Sequence, residues 1–212
     1  MKTRYPQLAL AALVLAVAAP VHAQLYVGAS VGRSDISLDR NRISDPFLDL
    51  GFNSANTTSS DTDTAYRAYA GYLFLPYLGV EAAYVDLGRF SFRTNVDPAG
   101  SLTGKPSIKG GELSVVGRLP IGERFAVYGR AGVFSARTST RYGATGSVEL
   151  IDGADRQHKS STKPSYAIGA SYDFTHNIGV RVEWARYTKL GGDLTGGKTD
   201  ANLATIGLTY TF

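Results

Sequence analysis

The chain has 212 residues, of which 43% are hydrophobic and 19% charged, so it is too apolar for a disordered chain and too polar for a bundle of membrane helices. Its 24 glycines and 13 tyrosines favour short strands and turns, and the lack of cysteine excludes disulfides, thiolate metal ligands and cysteine nucleophiles. The formal charge of +4 falls to +2 without Lys2 and Arg4, which gives no support for nucleic-acid binding.

The first 23 residues have the pattern of a cleaved export signal. A basic start at Lys2 and Arg4 is followed by an apolar stretch over residues 8–19, and small residues close the segment, as signal peptidase requires. We therefore expect residues 1–23 to be a signal peptide and residues 24–212 to form a single exported domain.

The rest of the chain alternates between apolar and small or polar residues with the period of a β-strand. At the end, Ile206, Leu208 and Tyr210 alternate with threonine and glycine, which gives a strand with two different faces. We predict eight such strands, and most of them are close to the length of about 9 to 11 residues that a tilted strand needs to cross a bilayer. Their predicted ranges are 25–34, 64–75, 78–88, 110–119, 124–136, 164–174, 177–187 and 202–212.

The connections between these strands alternate in length. Three tight turns, near residues 76, 121 and 175, separate four long connections at 35–63, 89–109, 137–163 and 188–201. An up-and-down transmembrane β-barrel, all-β and antiparallel, has this pattern, with tight turns on one rim and long extracellular loops on the other.

The distribution of charge between the two strand faces predicts which face meets lipid. A soluble barrel of the lipocalin type would place its apolar face inside and its charges outside. Here the apolar face carries charge only at strand ends, and eight strands leave an interior just wide enough for side chains. The apolar face is therefore expected to point to lipid.

Aromatic residues gather toward the rim of the tight turns, as in the interfacial girdles of membrane barrels. The alternative is that they are ordinary strand-forming residues. The predicted girdle consists of Phe74, Tyr77, Phe125, Tyr172, Phe174, Tyr210 and Phe212.

Residues 68–81, AYAGYLFLPYLGVE, together with YVGA at 26–29 and GVRVE at 179–183, resemble strands of the OmpA-type transmembrane domain family. The resemblance implies an eight-stranded barrel in the outer membrane. It also implies that Phe212, with Tyr210 and Leu208, forms the signal read by the outer-membrane assembly machinery. Since no peptidoglycan-binding domain follows, we expect a barrel-only relative.

Charged residues on the polar strand face are expected to point into the barrel and form an ion-pair network, because an unpaired buried charge is costly. The resemblance to the family implies that Glu81 and Arg181 form a central pair that closes and gates the lumen. The alternative is a network that fills the barrel and fixes strand register. The predicted members are Arg67, Glu81, Glu112, Arg118, Arg130, Arg181 and Glu183.

Two apparent motifs carry no functional prediction. Residues 192–199 match the phosphate-loop pattern but lack the strand and helix that such a loop requires. His158 and His176 are expected at opposite rims, so neither a catalytic site nor a metal site is predicted, and no cofactor.

The long loops would carry any specific function. Arg89, Arg93, Lys105 and Lys109 could contact lipopolysaccharide phosphates, or could be solvated charge. The favoured function is a monomeric structural and surface-interaction barrel in contact with outer-membrane lipids, with an extracellular ligand that the sequence does not name. A narrow or gated small-solute channel and an outer-membrane enzyme are the alternatives.

Overall fold

The computed structural model describes residues 24–36, 54–97, 100–146, 156–192 and 197–212. The predicted signal peptide and parts of the four predicted long connections lie outside these described residues. Among the described residues, no helix is long and apolar enough to span a membrane.

Ten β-strand segments form one closed antiparallel barrel of eight strands, as the sequence predicts. The ring runs β1, β3, β4, β6, β7, β8, β9, β10 and back to β1, while β2 and β5 extend its wall beside β6. The segments are β1 Gln24–Ile36, β2 Ser54–Ser60, β3 Thr62–Leu75, β4 Leu78–Arg89, β5 Ser91–Asp97, β6 Gly100–Ile121, β7 Phe125–Gly146, β8 Arg156–Asp173, β9 Ile178–Gly192 and β10 Gly197–Thr211.

The first and last strands close the barrel. β1 pairs with β10 from Tyr26 opposite Thr211 to Ile36 opposite Ala201, and its other edge pairs with β3. Every strand of the ring therefore has a hydrogen-bonded neighbour on both sides, which is the condition for β-structure in hydrocarbon.

Several strands continue well beyond their predicted ends. The prediction of long loops was wrong at residues 100–109 and 137–146, where β6 and β7 pair in continuous register up to Gly100 opposite Gly146. β8 likewise begins at Arg156. These extensions contain threonine, serine, lysine and arginine in place of apolar residues, so the lipid-facing pattern stops there although the backbone ladder does not.

The outer wall carries the large apolar side chains, as predicted. Leu113, Leu119, Ile168 and Leu208 are each at least 60% exposed on this face. All seven aromatic residues of the predicted girdle are exposed near the rim of the tight turns.

A second set of exposed aromatic residues, not predicted from the sequence, lies six to nine residues along the strands from the tight turns. With about 3.3 Å per residue and a strand tilt of about 40°, the two sets stand about 15–23 Å apart, close to the height of a lipid-facing band. The members of the second set are Tyr66, Tyr84, Tyr166 and Trp184.

The interior has two layers. Charged residues occupy the half nearer the tight turns. The half nearer the long connections holds mainly apolar side chains, among them Leu87, Phe90, Phe134 and Tyr187, together with neutral hydroxyl residues such as Thr138. The predicted charged interior is therefore confined to the half nearer the tight turns, and the prediction of a mainly polar interior is wrong for the other half. Side chains there are shielded from both lipid and water, so close apolar packing stabilises them without any need for charge.

Candidate functional site

Six charged side chains form a closed ring inside the barrel. Their ion pairs run from Arg67 to Glu81, Arg181, Glu183, Arg130, Glu112 and back to Arg67. Positive and negative groups alternate around the ring, so three cations balance three anions. No side chain of the ring is more than 8% exposed.

The contacts within the ring are close. Arg181 Nη1 lies 2.7 Å from Glu81 Oε2 and its Nη2 lies 3.1 Å from Glu183 Oε2. Arg130 donates from Nη2 to Glu183 Oε1 at 2.7 Å and also contacts Glu112. The longest link joins Arg67 Nε to Glu112 Oε2 at 3.6 Å, beyond hydrogen-bond distance. The ring is therefore weakest at this link.

Each carboxylate also accepts a hydrogen bond from a neutral hydroxyl group. Tyr26 donates to Glu81 at 2.9 Å and Tyr128 donates to Glu183 at 3.0 Å. Ser165 donates to Glu112 at 2.6 Å. These hydroxyls satisfy lone pairs that the arginines leave free, which a buried ion pair requires in order to be stable.

The Arg181 guanidinium also lies between two tyrosine rings. Its carbon is 3.9 Å from the ring centre of Tyr128 and 4.9 Å from that of Tyr69. Neither tyrosine is among the members of the site predicted from the sequence. Their position on the inward strand face, in register with the charged residues, is the sequence feature that could have predicted their place in the site.

The tyrosines fit because glycines face them on the adjacent strand. Tyr26 lies opposite Gly71, and Tyr69 lies opposite Gly28. A Cβ atom on Gly71 would come within 2.1 Å of the Tyr26 ring, so only glycine leaves room for it. This pairing of an aromatic ring with a cross-strand glycine positions the Tyr26 hydroxyl against Glu81.

Arg118 is the one predicted interior charge that lies apart from the ring. It pairs with Asp173 at 3.0 Å near the tight turns, and both side chains are partly exposed. Arg118 lies near the end of β6, at the rim where the interior of the barrel opens to water. A cavity of about 60 Å³ between this pair and the ring has room for a few water molecules.

The described residues bring together no group of three or more histidine, aspartate or glutamate side chains that could hold a metal ion. Of the phosphate-loop pattern, residues 197–199 pair with β9 as part of β10, and residues 193–196 lie outside the described chain. His176 lies in a tight turn, and the side chain of His158 is outside the described set.

Comparison with known proteins agrees with this architecture. The profile of the OmpA-like transmembrane domain matches residues 20–212. The chain belongs to the OmpA-like transmembrane domain family. Outer membrane protein A of Shigella flexneri is 27% identical over 199 residues, which are 93% of this chain and 51% of the relative. Outer membrane protein A of Escherichia fergusonii is 28% identical over 201 residues, again 93% and 51%.

The chain thus spans about half the length of these curated relatives. Among solved structures, Neisserial surface protein A has a TM-score of 0.55 at 16% identity, covering 89% of this chain and 97% of that one. Ail of Yersinia pestis, in complex with the heparin analogue sucrose octasulfate, has a TM-score of 0.54 at 12% identity, with 91% and 100% covered. At these identities the likeness shows the fold alone. This OmpA-like barrel resides in the outer membrane.

Proposed function

We propose that this OmpA-like barrel is a structural and surface-presenting protein of the outer membrane with a lumen closed by side chains. In this proposal it works as a monomer among outer-membrane lipids, inserted by the assembly machinery, and presents its four long connections to the exterior. The observation that carries the proposal is the closed ring of six alternating charges.

The ring supports a closed lumen for an electrostatic reason. A solute passing through would have to separate at least two buried ion pairs. Each unpaired charge in a poorly hydrated interior costs about 3–5 kcal/mol. Glu81 alone is held by Arg67, Arg181 and the Tyr26 hydroxyl. Thermal fluctuation would seldom break these contacts together.

The apolar layer provides a second barrier in series with the ring. Phe90 and Phe134 are almost fully buried within it, and the Phe134 ring lies 4.8 Å from that of Tyr187. A hydrophobic constriction resists wetting and so blocks ions even where no charge is present. Opening the ring alone would therefore leave the barrel closed.

Conductance in planar bilayers tests this proposal. We expect no sustained current steps from the wild-type barrel, from Glu81→Ala or from Phe134→Ala, and steps only when both changes are combined. Phe125→Ala, which removes an exposed aromatic from the outer wall, is the matched control. Sustained wild-type conductance would contradict the proposal.

A gated small-solute channel is the second candidate. Its support is the opening near the tight turns, about 820 Å³ in volume and lined by Arg118, Glu123, Arg124 and Asp173 among others. This vestibule brings water close to the ring from one side. Current from Glu81→Ala alone would favour the channel, because the ring would then be the only barrier.

The proposal assigns no catalytic activity. His176 forms no hydrogen bond with any described residue, so in this part of the chain it activates no serine or threonine. Mass spectra of lipid A from cells before and after expression should be identical. A new acylation or deacylation product would require a different function.

A further inference from the structure

Cations face one another across β6 and β7 on the outer wall, just beyond the second aromatic set. Lys109 lies directly opposite Arg137, and Lys105 lies directly opposite Arg141. All four side chains are exposed on the same face as the lipid-facing Leu113. Like charges placed directly opposite on neighbouring strands destabilise a sheet unless an anion lies between them.

The nearby acidic residue neutralises only part of this charge. Asp86, opposite Lys109 on β4, pairs with it at 3.0 Å. Arg137 has Ser160 opposite it on β8, and it forms no ion pair with any residue that the structure describes. The pair Lys109 and Arg137 therefore keeps a net positive charge.

Small residues leave a groove beside these cations. Ser107 lies opposite Ser139 between the two cationic pairs, and Gly111 lies opposite Ser135 on the side nearer the membrane. A Cβ atom on Gly111 would meet nothing within 4 Å. These residues and Tyr84 line a groove of about 410 Å³ on the outside of the barrel.

The groove continues into the surface that faces lipid. The next outward pair toward the tight turns is Leu113 opposite Val133, which are 60% and 49% exposed. Tyr84 borders the groove on β4 and belongs to the second aromatic set. A ligand here would have its polar part beside cations and its apolar part against lipid-facing side chains, as an amphipathic lipid at the outer interface requires.

We propose that this groove binds lipid A of lipopolysaccharide, with one phosphate between Lys109 and Arg137. Guanidinium and ammonium groups form charge-assisted hydrogen bonds to phosphate, and the serines add neutral donors. The acyl chains would lie along Leu113 and Val133. The second cationic pair, Lys105 and Arg141, is four residues further along the strands, about 13 Å away, which suits a headgroup with two phosphates.

Native mass spectrometry of the folded barrel in zwitterionic detergent tests this assignment. The probes are diphosphorylated lipid A, dephosphorylated lipid A, phosphatidylglycerol and a soluble sulfated polysaccharide. Arg137→Gln is compared with Arg124→Gln, which removes the same charge from an exposed position at the opposite rim. We expect diphosphorylated lipid A to bind preferentially, and roughly tenfold more weakly to Arg137→Gln, as the loss of one charge-assisted bond implies.

Heat-dependent gel mobility and urea midpoints without lipid A show whether the variants fold. Since Arg137→Gln removes a like-charge contact, its lipid-free stability should equal or exceed that of the wild type. Equal lipid A affinity for Arg137→Gln and the wild type would overturn the proposal. Equal binding of phosphatidylglycerol or dephosphorylated lipid A would also overturn it. Tighter binding of the polysaccharide would overturn it too, because the groove would then be a polyanion site.

Discussion

Arg181 donates a hydrogen bond to Glu81 across the full width of the barrel, at 2.7 Å, although 100 positions separate them in the chain. Glu81 is on β4 and Arg181 on β9, and three strands lie between them along either direction of the ring. No strand ladder brings these two residues together. Their contact depends on barrel closure and on the small diameter of an eight-stranded barrel.

Changing either residue of this pair should destabilise the barrel strongly. Glu81→Ala removes the shortest ion pair of Arg67 and that of Arg181, and leaves each arginine with one longer contact in the ring. We therefore expect a loss of about 3–5 kcal/mol, and a smaller loss for Arg181→Ala. The double variant should lose less than the sum of the two. Urea unfolding in lipid vesicles measures this double-mutant cycle.

The control cycle uses the partly exposed pair of Arg118 and Asp173. Its coupling should stay below about 1 kcal/mol, because water screens both groups. Additive effects of Glu81→Ala and Arg181→Ala would mean that the ring contributes no pairwise stability.

Truncation within the apolar layer should be as costly as truncation within the ring. Phe134 is fully buried, so Phe134→Ala should lower the free energy of unfolding by about 3–5 kcal/mol through lost burial and a cavity. Phe125→Ala, on the same strand but 40% exposed, should cost much less in the same vesicles. Equal costs would indicate that the apolar layer is loosely packed.

Substitution of Gly71 should act through Tyr26. In Gly71→Ala the new methyl group overlaps the Tyr26 ring, which must move away from Glu81, and we expect a loss of about 1–3 kcal/mol. Gly117→Ala is the control, since its nearest neighbour would be the Gly129 carbonyl oxygen at 4.0 Å. In a Tyr26→Ala background the cost of Gly71→Ala should largely disappear, and an undiminished cost would point to backbone strain instead.

Phe212 should affect assembly more than other exposed aromatics at its rim. Its ring packs edge-on against Tyr210 with centres 5.0 Å apart, and its amide donates to the Leu25 carbonyl at 3.0 Å. We expect Phe212→Ala to lower outer-membrane yield several-fold. Phe174→Ala, which removes a similar exposed ring packed against Tyr172, is the control, and equal yields would argue against an assembly signal.

The alternation of apolar and polar residues predicts the membrane-spanning part of the fold because lipid requires apolar side chains on one face of every strand. The prediction fails where the strands extend beyond the lipid. Residues 100–109 carry lysines, glycines and a proline, yet they continue β6, because the facing residues of β7 satisfy their backbone. No local pattern marks such an extension.

For the site, strand parity identifies inward charges but not their height or their partners. Arg118 and Arg130 have the same parity, yet one lies at the rim and the other within the ring. Partners across the barrel depend on the stagger between strands, which a single sequence does not reveal. The inward positions of Phe90 and Phe134 were not predicted for another reason. In the apolar layer the inward residues are as apolar as the outward ones, so the sequence shows no contrast in polarity between the two strand faces.

The pairing of β1 with β10 governs when the protein can acquire its structure. One edge of β1 pairs with β10, the strand of the barrel most distant from it in sequence, so the nascent chain cannot close its wall by local steps. Contacts of such long sequence separation form slowly and leave strand edges open meanwhile. The unfinished barrel therefore needs protection from aggregation until its two ends meet, and the finished barrel should open as one cooperative unit.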